Sequence, residues 1–184
     1  SLQAILAAIE KAPGWRVRHI RGDGNCMFGA IATQLMTPER LRILKDTVSK
    51  PGVQEFVKPR TVDEAALIDR FLASSDPVAL LAENGAYTGM VRLLRAIVVN
   101  EMHRTADQGG EGWATALAAT LTYRPNWKTE LNFGPADEPT AGEIVARYLN
   151  RMREEQNNPL FGDQDGAVLL GKVFGGKVRF IEIE

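Results

Sequence analysis

The only cysteine of the chain, Cys26, closes the run Gly22-Asp23-Gly24-Asn25-Cys26. Ahead of it, the short apolar segment Trp15-Arg-Val-Arg-His-Ile20 leads into a turn with two glycines. Behind it, Met27 to Met36 reads as a buried helix. Strand, tight turn, cysteine and helix would place the thiol at a helix N-terminus. There, unpaired N–H groups and the positive end of the helix dipole favour thiolate over thiol. A cysteine so placed is a candidate nucleophile for acyl transfer. The flexibility of Gly24 would let backbone N–H groups turn inward, so the amides of Gly24 and Asn25, with that of Cys26, are candidate oxyanion donors. Asp23 suits an Asx-turn, in which its carboxylate binds nearby backbone N–H groups and holds the loop open. The plainer reading of a lone cysteine is a small buried hydrophobe.

A thiol nucleophile needs a base to take its proton, normally a histidine. The chain has two. His19 lies on the segment that enters the turn, seven residues before Cys26. His103 lies in Asn100-Glu-Met-His-Arg104, at the end of a long helix. Each also suits a plain structural role, His19 as a sheet residue and His103 as a cation-capable group near a helix C-terminus. No ligand spacing for a metal is present among the scattered His and Cys. Gly109-Gly110 and Gly175-Gly176 read as turns, without the strand-loop-helix pattern of a phosphate loop.

The run Gly22-Asp-Gly-Asn-Cys-Met-Phe-Gly-Ala-Ile31 resembles the cysteine box of the ovarian-tumour (OTU) cysteine proteases, Gly-Asp-Gly-Asn-Cys-Leu-Phe-Arg-Ala-Ile, with Met27 and Gly29 as the departures. A second block near the C-terminus is similar to the family's helix, Trp-Gly turn, helix and core strand. It comprises Tyr148 to Met152, Phe161-Gly162, Gly166 to Phe174 and Lys177 to Ile183, with Phe161 in place of the Trp. The resemblance implies an α+β papain-like fold in which a small β-sheet is flanked by helices. Its core would comprise residues 1–36 and 124–184, with a mostly helical insertion at about 37–123, as in bacterial effector members with an enlarged helical lobe.

The function implied by the resemblance is deubiquitination by Cys26, with Asp23 shaping the loop, backbone donors at Gly24 and Asn25, and no cofactor. The partner would be ubiquitin or polyubiquitin, in the cytoplasm or, for a bacterial effector, the host cytosol. The family's histidine follows the strand matched by 177–183. The base is therefore expected beyond Glu184, supplied by His19 in a rearranged strand order, or absent. Three rivals remain: a catalytically incomplete OTU-fold module that binds ubiquitin, a viral-type member cleaving a polyprotein, and a plain helical interaction domain in which the box is coincidence.

The elements that must position these residues are mostly helical. Leu2, Ile5, Leu6 and Ile9 form one apolar face ending before Pro13-Gly14. Pro38 opens a helix to about Ser49, and Lys50-Pro-Gly52 breaks it. Thr61-Val-Asp-Glu64 and Thr140-Ala-Gly-Glu143 are capping boxes opening two more helices. Leu67, Ile68, Phe71 and Leu72 form the buried stripe of the first. Asp76-Pro77 starts a short helix ending near Gly85. Gly89 to Met102 is the strongest helix signal, stopped at Gly109-Gly110 and resumed from Trp113 to Leu121. Residues 122–139 read as a loop, 166–174 as a helix and 177–183 as a strand paired with 15–20.

A length of 184 residues suits one domain with a sizeable core. The net charge of −1 offers no basic field for nucleic acid. Residues 1–60 hold 10 Lys/Arg against 5 Asp/Glu, and residues 61–184 hold 12 against 18. The acidic second part suits the basic tail of ubiquitin, with Glu83, Glu101 and Asp107 as candidate contacts. A single cysteine precludes an internal disulfide and fits a reducing compartment. No apolar run reaches membrane-spanning length. The chain begins at Ser, which reads as an excised piece from which a targeting segment could have been removed.

Overall fold

The computed structural model describes residues 2–14, 20, 22–57, 64–154, 160 and 164–176. Helix α1 spans Leu2–Lys11, α2 Cys26–Gln34, α3 Pro38–Val48, α4 Pro51–Phe56 and α5 Glu64–Ala73. Then come α6 at Pro77–Leu81, α7 at Asn84–Thr122, α8 at Trp127–Glu130, α9 at Ala141–Met152 and α10 at Gln164–Val173. Among the described residues the chain is 74% helical and contains no strand. The expectation of an α+β papain-like fold with a small sheet is therefore overturned: the fold is all-helical. Both expected strands, 15–20 and 177–183, fall outside the described residues except for Ile20, which has no regular structure.

The physical reason lies in α7. From Met90 to Val99 it is apolar on nearly every side, and Met90, Val91, Leu93, Leu94, Ile97, Val98 and Val99 are completely buried. A helix apolar all round must be enclosed by other elements. The inner layer that a sheet would occupy is here this helix, with α9, α2, α4 and α10 packed around it, and α3, α5, α6 and α8 also touching it. Each neighbour turns one stripe inward. In α9 the stripe is Ile144, Val145, Tyr148, Leu149 and Met152. In α3 it includes Leu41, Leu44 and Val48. A fully buried side chain such as Leu44 or Ile97 contributes roughly 1.5–3 kcal/mol.

Helix starts follow local chemistry. Thr37 caps α3 by accepting from the Arg40 N–H at 3.4 Å, with Pro38 at the first helical position. Asp76 caps α6 in the same way, accepting from the Ala79 N–H at 2.9 Å ahead of Pro77. The helix from Pro38 ends at Val48, ahead of Lys50-Pro51 as expected, and Pro51 also opens α4, because proline lacks only an N–H that the first turn leaves unpaired anyway. In α9 the capping box forms reciprocally: the Thr140 N–H donates to Glu143 Oε2 at 2.8 Å, and the Glu143 N–H donates to Thr140 Oγ1 at 3.3 Å. Thr61 to Asp63 of the other expected box lie outside the described residues.

Helix α7 breaks at Gly110, whose φ of 59° and ψ of −152° belong to a region only glycine occupies readily. Beyond it, Ala118 and Leu121 bury into the same core as Leu94 and Ile97. The segment 122–139 carries the short α8, whose Trp127 ring meets Phe133 edge to face at 5.8 Å. Among the described residues no helix is long and apolar enough to cross a membrane.

Candidate functional site

Cys26 is the first residue of α2, and it is exposed. The turn before it is built from three local features. Gly24 adopts a left-handed φ of 79° and is buried. Asp23 Oδ1 accepts the Asn25 N–H at 2.9 Å, the short-range bond of an Asx-turn. Asn25 takes the N-cap position with φ −104° and ψ 8°, yet its side chain makes no cap bond to the helix. The first N–H groups of any α-helix have no intrahelical partner. Those of α2 begin with Cys26 itself, whereas the Asn25 N–H, expected as an oxyanion donor, is directed at Asp23.

The Asn25 side chain is turned toward α7. Its Oδ1 accepts from Arg95 Nε at 3.1 Å and from Arg95 Nη2 at 2.8 Å. Arg95 is completely buried. Its remaining donors reach the Met152 carbonyl at 2.9 Å, the Leu160 carbonyl at 2.7 Å and, more loosely, the Gly24 carbonyl at 3.4 Å. The guanidinium carbon lies 4.3 Å from the centre of the Phe28 ring, which is also fully buried. A second clamp comes from one end of α7, where the Tyr87 hydroxyl lies 3.4 Å from Asp23 Oδ1. The loop bearing Cys26 is thus held from beneath by two side chains of the central helix.

The resemblance to the OTU box departs at Gly29, and the structure supplies a reason. A Cβ at Gly29 would stand 2.8 Å from Tyr87 Oη, 3.0 Å from Tyr87 Cε2 and 3.2 Å from Ile20 Cγ2. The space is already filled by the tyrosine. Met27, the other departure, is partly buried against the core.

His103 is not brought to the thiol. It stacks on Phe56 of α4, centroids 4.8 Å apart and planes 12° from parallel, while Arg153 lies 5.5 Å from the same Phe56 ring. Eight residues past Arg95, it sits about 12 Å further along α7 at 1.5 Å per residue. Among the described residues no hydrogen bond joins Cys26 to a histidine, and His19 lies outside them. Of the acidic candidates, Glu83 pairs with Arg70 at 3.4 Å and Glu101 with Arg104 at 2.9 Å, while Asp107 is exposed. Among the described residues no group of three or more His, Cys, Asp or Glu gathers as a metal site would.

Arg95 and Tyr87 were not among the residues singled out from the sequence. The signal for Arg95 was present: an arginine inside a run apolar on every face cannot reach water, so it must find partners indoors. Compared with known protein families, curated proteins and solved structures, the chain matches none. The arrangement at Cys26 offers an accessible sulfur at a helix start, beside a glycine turn fixed by an aspartate and a buried arginine.

Proposed function

We propose that the chain is a cysteine-dependent hydrolase of ubiquitin conjugates, carried on an all-helical scaffold, with Cys26 as nucleophile. The observation that carries the reading is the exposed Cys26 at the first position of α2, behind a Gly24–Asn25 turn braced by Asp23 and Arg95. A structural cysteine would be buried; this one is not. The resemblance of Gly22–Ile31 to the OTU cysteine box supplies the substrate class, an isopeptide after the Gly-Gly terminus of ubiquitin.

In the reaction, the Cys26 thiolate attacks the terminal glycine carbonyl. A C–S bond forms, the isopeptide C–N bond breaks, and the departing lysine nitrogen takes up a proton from solvent water, matching the one the thiol gave up to solvent. Water then cleaves the thioester, regenerating the thiol and releasing a carboxylate. The developing oxyanion is met by backbone N–H groups at the start of α2, where the helix dipole favours negative charge.

The test is reaction with ubiquitin bearing a C-terminal propargylamide. One adduct at Cys26, absent in Cys26→Ser, is the expected result; an inert protein overturns the reading. The placement of His103 on Phe56 favours a second reading, a module that binds ubiquitin without cleaving it. Binding without an adduct would select it.

A further inference from the structure

We propose that Arg95 is the positioning residue of this site, acting through Asn25 to hold the loop that presents Cys26. The inference rests on the reading of Cys26 as an acyl-transfer nucleophile. Burial of a guanidinium is costly and is tolerated only where its donors are satisfied. Around Arg95, the helix is otherwise apolar at Leu93, Leu94, Ala96 and Ile97, all buried. For packing alone, another apolar residue would serve, and buried charges replaced by apolar groups often leave a protein as stable or more so. What an apolar residue cannot do is bind a polar loop at a fixed place.

The acceptors Arg95 uses fit that role. Two of its bonds go to Asn25 Oδ1, the side chain immediately before the nucleophile, and a third reaches the Gly24 carbonyl. The Met152 and Leu160 carbonyls, at 2.9 and 2.7 Å, accept from the same guanidinium, whose carbon lies 4.3 Å from the centre of the Phe28 ring. Phe28 lies two residues beyond Cys26 on α2, so the same cation grips the helix and the loop that enters it.

Asn25 shows what the grip achieves. Asparagine is among the strongest N-cap residues, normally accepting from the second or third N–H of its helix. Here it occupies the N-cap of α2 and makes no such bond. Arg95 holds its oxygen away from the helix start, so the Asn25 side chain does not compete there with the charge that Cys26 chemistry creates.

The experiment compares wild type, Asn25→Ala and Asn25→Asp in hydrolysis of a ubiquitin C-terminal coumarin amide, with thermal melting alongside. Loss of the anchor in Asn25→Ala should lower kcat by about 10²-fold, the scale of a lost oxyanion contact, with KM changed by less than about threefold. Asn25→Asp restores an acceptor for the guanidinium and should recover at least about tenfold of that loss. A folded Asn25→Ala with wild-type kcat, or an Asn25→Asp no better than alanine, overturns the inference. If Asn25→Ala does not fold, Asn25→Gln takes its place, carrying the same amide one methylene further out. A kcat equal to that of wild type again overturns it.

A wild type inert to ubiquitin substrates would remove the ubiquitin reading alone, and the iodoacetamide rate at Cys26 then decides. The anchored loop holds the sulfur exposed at the first position of α2, and Asn25→Ala releases that hold while leaving the Arg95 charge in place. Alkylation should be at least about fivefold slower in folded Asn25→Ala. An unchanged rate would overturn the positioning role by itself.

Discussion

The Tyr87 hydroxyl stands 3.4 Å from Asp23 Oδ1 across 64 residues of chain, and its ring fills the space that a side chain at Gly29 would need. One tyrosine thereby fixes both the aspartate that folds the cysteine loop and the helix face beneath it.

Gly29→Ala should therefore lower stability. The added Cβ meets a ring with backbone-anchored neighbours, an overpacking cost of about 1–3 kcal/mol. The better helix propensity of alanine offsets up to about 1 kcal/mol of this. Tyr87→Phe removes the nearest atom, so the double variant should lose less than the two single losses combined. Urea denaturation of the three variants measures the coupling. Simple additivity would show that Tyr87 and Gly29 do not constrain each other.

Arg95→Ala should be among the most damaging single substitutions in the chain. It strips donors from Asn25 Oδ1 and from the Met152 and Leu160 carbonyls at once. Each buried acceptor left unpaired costs roughly 1–3 kcal/mol, and the emptied volume adds to this. Chemical denaturation reads the loss directly, and a change below about 0.5 kcal/mol, as for a surface arginine, would be incompatible with the buried brace.

Two glycines of α7 should respond oppositely to alanine. Gly110→Ala forces a Cβ into φ 59°, ψ −152°, at a cost of about 1–3 kcal/mol. Gly112 is helical with open space around its Cβ position, so Gly112→Ala should stabilise by roughly 0.4–1 kcal/mol. Paired thermal melts settle this, and the same sign for both would mean that the break is not where the backbone places it.

The capping box of α9 should make stability fall in acid. The Thr140 N–H bond to the Glu143 carboxylate, then the Thr140 side-chain bond, hold the Glu143 pKa below the ordinary carboxylate value, with Arg147 adding to this and desolvation opposing it. A lowered folded pKa means that the contribution is complete above the unfolded value and disappears as pH falls through the folded one. Glu143→Gln cannot titrate. Its deficit against wild type, followed by denaturant midpoint, should be present at neutral pH and shrink in acid. A constant deficit at all pH values would show that the carboxylate charge is not involved.

Much of the local structure was legible from the chain. Thr140 and Glu143 announced the start of α9, Asp76-Pro77 that of α6, and Gly109-Gly110 the break in α7, because caps and glycines act on neighbours within a turn. The loop at Cys26 was legible for the same reason, since Asp23, Gly24 and Asn25 make their defining bonds within two residues. Lys50-Pro51 was legible as the end of α3, but the same proline also starts α4, which its local signal as a stop did not announce. The sheet was misread more deeply. Alternation in short segments and likeness to a family stood in for a central layer, while the run Met90–Val99, apolar except at Arg92 and Arg95, already specified a buried helix to fill that place. Arg95 and Tyr87 act on residues 57 to 71 positions away, and spacing along the chain does not encode such pairings.

The acceptors of Arg95 lie on both sides of it, 70 residues back at Asn25 and 57 and 65 residues ahead at Met152 and Leu160. Loops of this length close late, because the chain entropy lost in closure must be spent before the contacts form. During synthesis the thiol leaves the ribosome long before the residues that hold it in place. A nascent chain therefore carries Cys26 as an unorganised side chain, and the nucleophile is set only when the far end of α9 and Leu160 have arrived.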